Sequence, residues 1–245
     1  VDFAASAPYV AIDMHPADPA QRLDAVYFSP HKFLGGPGAS GVLLFDAALY
    51  TLKVPDTPGG GTVAWTNPWG GHRFVDSIEA REDGGTPGFL QTIRAALAIR
   101  VKEAMGVDAI AARERELCDL FLGELRKDPS IQLLESDQCE RLCIFSFYSL
   151  EKHYNLIVRL LNDRFGVQVR GGCSCAGTYG HILLNVDEET SQQITCQIDA
   201  GDLSNKPGWV RASLHPTMTD DEVVYVARAI HEVMQHYDEW KRDYV

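Results

Sequence analysis

The stretch S-P-H-K-F-L-G-G-P-G-A-S-G, from Ser29 to Gly41, constrains this chain more than any other segment. It is flanked by D-A-V-Y-F at 24–28 and S-G-V-L-L-F at 40–45. Both flanks read as strands, and the continuous apolar run of the second suits a sheet buried on both faces. The chain must therefore leave one strand, turn through proline and glycines, and enter another. The turn carries a lysine. At the end of a strand, beside apolar walls, the amine of Lys32 is desolvated, and desolvation favours the neutral form that condenses with an aldehyde. The ordinary alternative is a solvated surface lysine. Ser29 and His31 flank Lys32 and are placed to donate hydrogen bonds to a phosphate. The glycines themselves are not a nucleotide loop, because G-x-x-x-x-G-K-[ST] is absent.

Composition narrows the partners. With 245 residues the chain is long enough for one large domain or two modest ones. Against 22 Lys and Arg stand 34 Asp and Glu, a formal charge of −12, which gives no general attraction for nucleic acid or anionic membranes. No apolar run approaches the length of a membrane span. The six cysteines, Cys118, Cys139, Cys143, Cys173, Cys175 and Cys196, form neither a disulfide framework nor a paired C-x-x-C zinc pattern. Reduced thiols in a cytoplasmic protein, with no bound metal, are the expectation.

Along the chain, P-Y-V-A-I-D at 8–13 reads as a further short strand. Residues 51–88, rich in Gly, Pro, Thr and Trp, read as a long functional loop with G-G-G-T at 59–62 and G-G-T-P at 84–87. A helix follows, capped by Thr86 with Pro87 in its first turn. In it Leu90, Ile93, Leu97, Val101 and Met105 recur at helical spacing, and Gly106 ends it. Residues 108–127 and 153–165 read as helices. Residues 131–136, 141–147, 167–170 and 209–214 read as strands. Residues 186–206 read as an acidic, polar stretch. A last helix opens on the capping box Thr219-x-x-Glu222, with Val223, Val226, Ile230, Val233 and Tyr237 as its apolar stripe. The expected division is 1–106, a strand-and-loop part, and 107–245, a compact α/β unit.

Three further features carry chemistry. Asp2 stands at the end of a strand, where a carboxylate can pair with a protonated ring nitrogen. R-G-G-C-S-C-A-G-T-Y-G at 170–180 places Cys175 on a mobile glycine-rich loop beside Arg170. A nucleophilic thiolate needs such an electropositive, partly exposed setting, and the alternative is an idle thiol. Arg211, in W-V-R-A-S-L, is either a structural ion-pair partner or a two-pronged clamp for a substrate carboxylate.

Together these motifs resemble the class V aminotransferases, fold type I pyridoxal phosphate enzymes that include the cysteine desulfurases. S-P-H-K-F-L-G-G-P-G is similar to that family's lysine motif, and the resemblance spans nearly the whole chain. It implies that Asp2 pairs with the pyridine nitrogen and that Ser29 and His31 bind the cofactor phosphate. Lys32 would be the Schiff-base lysine. The G-G-G-T and G-G-T-P loops would lie at a homodimer interface, Thr86 reaching the neighbouring subunit's cofactor phosphate. Arg211 would hold the substrate carboxylate. R-G-G-C-S-C-A resembles the R-x-G-x-x-C loop of one desulfurase group, which makes Cys175 the sulfur-accepting thiol. Ala5 stands where many relatives carry a glutamine, and the segment from Cys175 to Arg211 is longer than in typical desulfurases.

The implied fold is α/β: the end of the large, mixed-sheet, cofactor-binding domain in residues 1–106, then the small C-terminal α/β domain. The implied function is a pyridoxal 5'-phosphate enzyme acting on a small amino acid. It is cysteine desulfurase-like if Cys175 takes the substrate sulfur, and an aminotransferase or another reaction of that cofactor if it does not. Relatives carry a substantial N-terminal region before the aspartate strand, so the chain is expected to be a C-terminal portion. That region would then be a separate or cleaved chain, and this portion alone would expose sheet surface and bind cofactor poorly.

Overall fold

The computed structural model describes residues 1–138 and 140–244, so Cys139 lies outside the described residues. It divides into two compact units, Val1–Ala111 and Ala112–Val245.

In the first unit, β1 (Ala25–Phe28) pairs antiparallel with β2 (Val42–Phe45), and Asp2 forms a parallel bridge to Tyr27 on β1. A hairpin follows, β3 (Val63–Thr66) with β4 (His72–Phe74), then the one-turn α1 (Ile78–Glu82) and α2 (Phe89–Met105). The hairpin and α1 thus lie inside the stretch read as loop. Residues 8–13 are not a strand. Pro8 has no N–H to give a ladder, and the backbone N–H groups of Tyr9 and Val10 turn back onto Ser6 O, at 2.9 and 3.2 Å.

The helix α2 begins later than expected. Gly88, not Thr86, is its N-cap, and its first bond is Thr92 N–H to Gly88 O at 2.9 Å. Gly106 ends it at φ 80°, which glycine adopts without strain. The stripe at helical spacing faces solvent: Leu90 is 78 % exposed and Ile93 and Leu97 are 55 %. The buried face is Ala95 and Ala98, and Ala98 packs with Ala7 and Phe33. One turn on, Lys102 Nζ donates to Ala7 O at 2.6 Å and to Val10 O, over the ring of Phe33. This ties α2 to the turn that follows Asp2. The strand β2 is likewise not buried on both faces, since Leu43 is 61 % exposed.

The second unit takes in most of α3 (Val107–Leu125), then β5 (Gln132–Leu133), β6 (Ile144–Tyr148), α4 (Tyr154–Phe165), β7 (Arg170–Gly172), α5 (Gly177–Leu183), α6 (Glu188–Asp199), β8 (Trp209–Ser213) and α7 (Asp220–Trp240). Its antiparallel sheet runs in the order β5-β6-β8-β7. Phe145 and Phe147 of β6 and Val210 and Ala212 of β8 alternate onto one face. There they meet Ile157, Leu160 and Leu161 of α4, Val223, Ile230 and Val233 of α7, and Phe121 of α3. Each fully buried large side chain contributes about 1.5–3 kcal/mol.

The capping box of α7 forms as expected: Thr219 N–H donates to Glu222 at 2.8 Å, and Glu222 N–H to Thr219 Oγ1 at 3.2 Å. The strand expected at 167–170 starts three residues later, and the polar stretch at 186–206 holds α6. Among the described residues, no helix is long and apolar enough to cross a membrane.

Candidate active site

Each unit assembles its own group of the expected residues. In the first unit the parallel bridge is held by Tyr27 N–H to Val1 O at 3.2 Å and Phe3 N–H to Tyr27 O at 2.9 Å. Parallel chains leave a sheet at the same edge, and carboxyl edges of strands are where α/β folds bind ligands. Asp2 and Ser29 therefore emerge together. Asp2 Oδ1 accepts from Ala4 N–H at 2.7 Å, which fixes the carboxylate beside the strand end. After Ser29 the chain makes a single 3-10 turn, Pro30–Lys32, closed by Lys32 N–H to Ser29 O at 3.0 Å. The Ser29 hydroxyl makes no capping bond within that turn.

Behind the turn the chain folds back so tightly that a Cβ on Gly36 would stand 1.8 Å from Pro30 O. The first need for glycine here is close backbone packing. His31 and Lys32 are exposed on the turn, so the apolar walls expected around the amine are not what surrounds it. In a turn of three residues Pro30 and Phe33 fall on one side and take the buried positions, which leaves His31 and Lys32 on the exposed side. Thr86 is exposed on a different feature. It follows Gly85, whose N–H donates to Gly60 O at 2.8 Å, so the two glycine-rich loops clasp each other.

Lys102 was not singled out by the sequence. Burial pushes its pKa down, and its ammonium satisfies two carbonyls of the turn after Asp2. Its signal was a lysine on the Ala95–Ala98 face of α2, at 3.6-residue spacing.

In the second unit, Arg170, Arg211 and Cys175 come together. Arg170 opens β7 directly opposite Arg211 on β8, and Arg211 is opposite Ser146 on β6. Because Phe145, Val210 and Ala212 face the core, Ser146, Arg211 and Arg170 share the other face of the sheet. Arg170 Nη2 donates to Cys175 Sγ at 3.0 Å. Arg211 is half-buried, and its Nε is buried without a hydrogen-bond partner. Burial lowers its pKa, the neighbouring Arg170 charge lowers it further, and Cys175 opposes both. A buried guanidinium donor without a partner, beside a second arginine, has hydrogen-bonding capacity left to satisfy.

The thiol's loop is strained. Ser174 and Cys175 have φ of 50° and 66°, and Ala176 N–H donates to Cys173 O at 2.8 Å, closing a turn of the I′ kind without glycine. Each such residue costs roughly 1–3 kcal/mol. The remaining thiols are set differently. Cys118 and Cys143 lie in the core with sulfurs 3.2 Å apart. Cys143 is pushed far up in pKa by its hydrogen bond with Cys118 and by burial, and Cys196 is exposed on α6.

The aminotransferase class-V family model matches residues 1–226. A cysteine desulfurase of Shigella flexneri is 32% identical over 178 residues, 68% of this chain and 40% of the relative. A "Probable cysteine desulfurase" of Staphylococcus epidermidis is 30% identical over 176 residues, 72% of this chain and 41% of the relative. Among solved structures, the apo cysteine desulfurase of Thermococcus onnurineus NA1 superposes with a TM-score of 0.72 at 23% identity, covering 96% of this chain and 52% of that one. The cysteine desulfurase CsdA of Escherichia coli superposes at 0.67 with 22% identity, covering 96% and 51%. The chain has the α/β fold type I architecture of these structures and spans about half their length.

Proposed function

The chain belongs to the class-V aminotransferase family, and on that premise we propose that it serves a pyridoxal phosphate enzyme of cysteine desulfurase-like activity. The observation that carries the reading is the hydrogen bond from Arg170 to Cys175, one strand from the unpartnered Nε of Arg211. The Arg170 guanidinium puts a positive charge against an exposed thiol, the electropositive and accessible setting a nucleophilic cysteine needs. A half-buried arginine with a spare donor suits the carboxylate of a small amino acid.

The first unit fits the cofactor by its donor set. At one sheet edge it offers a carboxylate for a ring nitrogen, a hydroxyl and an imidazole for a phosphate, and a primary amine for an aldehyde: Asp2, Ser29, His31 and Lys32. When bound, pyridoxal phosphate supplies an electron sink for the bond broken at the substrate's α-carbon. Asp2 keeps the proton on the ring nitrogen. Lys32 Nζ would hold the aldehyde carbon and would be the base for the substrate's α-proton. Arg211 orients the substrate through its carboxylate. Cys175 Sγ would bond to the substrate sulfur as the carbon–sulfur bond breaks, the electron pair of that bond leaving with the carbon fragment, and the sulfur would remain on Cys175 as a persulfide.

The same reading makes residues 1–106 the end of the large cofactor-binding domain and 107–245 the small C-terminal domain. It makes the protein a cytoplasmic homodimer in which Thr86 serves the partner subunit's phosphate site. Family membership supports this, as does the exposure of Thr86 on its loop. The test is Cys175→Ala. Release of alanine from cysteine is expected to stop while the visible absorbance of bound cofactor persists. Keto acid formation that survives the substitution would mark a transaminase instead.

A further inference from the structure

The R-G-G-C-S-C loop holds two thiols, and only one has a role above. Cys175 is exposed and takes a hydrogen bond from Arg170. Cys173 is half-buried. Its Sγ donates to Pro207 O at 3.4 Å and lies where a Cβ on Gly180 would come within 3.3 Å of it, with the Trp209 ring equally close. The space left by Gly180 therefore seats this sulfur. The two cysteines occupy the first and third positions of the strained turn closed by Ala176 N–H to Cys173 O. Two 3.8 Å Cα steps folded at about a right angle span ~5.4 Å. That lies inside the Cα separation of about 4.4–6.8 Å that a disulfide accepts. A sulfur hydrogen bond to a carbonyl is weak, so rotation about χ1 of Cys173 releases it toward Cys175 at little cost.

We propose that Cys173 is a resolving thiol that discharges a persulfide formed on Cys175. This rests on the reading of Cys175 as the sulfur-accepting residue. The Cys173 thiolate attacks Sγ of Cys175, a sulfur–sulfur bond forms between the two cysteines, and the bond to the terminal sulfur breaks, with that sulfur leaving as hydrosulfide. The terminal sulfur is reduced and the two cysteine sulfurs are oxidised, so no external oxidant enters. Two equivalents of a low-molecular-weight thiol return the disulfide to two thiols. The placement suits the division of labour. The exposed thiol meets sulfur donors and acceptors, and the half-buried one sits two residues away on the same turn. When an acceptor is present the sulfur is handed on, and when none is present it leaves as sulfide and the site closes as a disulfide.

The test loads the holoenzyme with inorganic polysulfide, removes the excess by rapid desalting, and follows sulfide release together with the mass of the peptide carrying both thiols. Wild type is expected to release sulfide after desalting, and its peptide to lose two hydrogens. Cys173→Ser and Cys173→Ala are both expected to lose the sulfide release and to keep one added sulfur on Cys175. Equal persistence of the added sulfur in wild type and both variants overturns the resolving role while leaving Cys175 as acceptor. No sulfur on Cys175 in any of the three overturns both readings.

Discussion

Arg211 and Lys32 are both cations at the heart of the proposed chemistry, yet the two units hold them in opposite ways. Arg211 is half-buried in a strand, locked in register between Ser146 and Arg170, above a sheet whose other face is a closed apolar core. Lys32 is exposed on a single 3-10 turn whose packing is made by Pro30, Phe33 and Gly36. The second unit fixes side chains through sheet register and a core of more than one layer. The first fixes backbone through one bridge and a small cluster around Ala7, Phe33 and Ala98, and leaves Leu43, Leu90 and Ile93 in water. The proposed substrate-binding arginine is thus held by strand register within its own unit, whereas the proposed cofactor lysine stands exposed on a turn.

The sharpest way to break this contrast is Lys32→Ala. It removes the amine proposed to hold the cofactor, and turnover is expected to fall by roughly 10³-fold or more. The visible band of bound cofactor should vanish while the amide-exchange pattern of both units stays unchanged. Retention of the band would show that another amine serves. The next effect in size concerns the cores. Phe145→Ala should cost about 3–5 kcal/mol, because the core around it cannot collapse fully. Leu43→Ala, at an exposed position, should stay within about 0.5 kcal/mol. Urea titration followed by hydrogen exchange at β6 amides separates the two.

Arg211→Lys tests whether register alone makes the clamp. A point-charge ammonium keeps the sign but loses the two-pronged geometry and the Nε donor. Affinity for the amino-acid carboxylate should weaken by about 1.5–3 kcal/mol, read as a rise in KM. The cofactor band should be unmoved. An unchanged KM would mean the carboxylate is held elsewhere.

How far the sequence was legible follows the same division. The capping box at Thr219 and the stripe from Val223 to Tyr237 were readable because α7 owes its form to local caps and an amphipathic face that meets a real core. On α2 the same periodicity pointed to the wrong face, because spacing reports a stripe but not whether anything covers it. Residues 8–13 looked like a strand by composition, and Pro8 with the Ser6 turn decided otherwise. The helix α6 was missed because it has few large apolar residues. Its legible signal was Asp187, whose Oδ1 accepts from Thr190 N–H at 2.8 Å, and whose carboxyl is held low in pKa by the Thr190 side chain first and by that N–H second. Of the candidate site, the residue types at Lys32, Cys175 and Arg211 were legible. Arg170 as the charge beside Cys175 was legible as well, while the direction and length of their hydrogen bond come from pairing between β7 and β8 and a turn of positive φ.

The smallest expected effect concerns Glu114, a carboxyl buried in the second unit's otherwise apolar interior. Its Oε1 accepts only a long bond, 3.4 Å, from Cys143 N–H. Burial pushes its pKa up, and the Cys143 bond only partly offsets this. An acid whose folded pKa exceeds its unfolded value binds its proton more tightly when folded. Its contribution is therefore complete below the ordinary Glu value of about 4.3 and is lost as pH rises through the folded pKa. Glu114→Gln keeps the shape and removes the titration. The stability difference between wild type and variant should shift in the variant's favour as pH rises from 4 toward neutrality, then level off above the folded pKa. Urea midpoints across that range would read it. A difference that ran the other way would mean the carboxylate is paired in solution, and that even the closed core of the second unit admits a counter-charge at its centre.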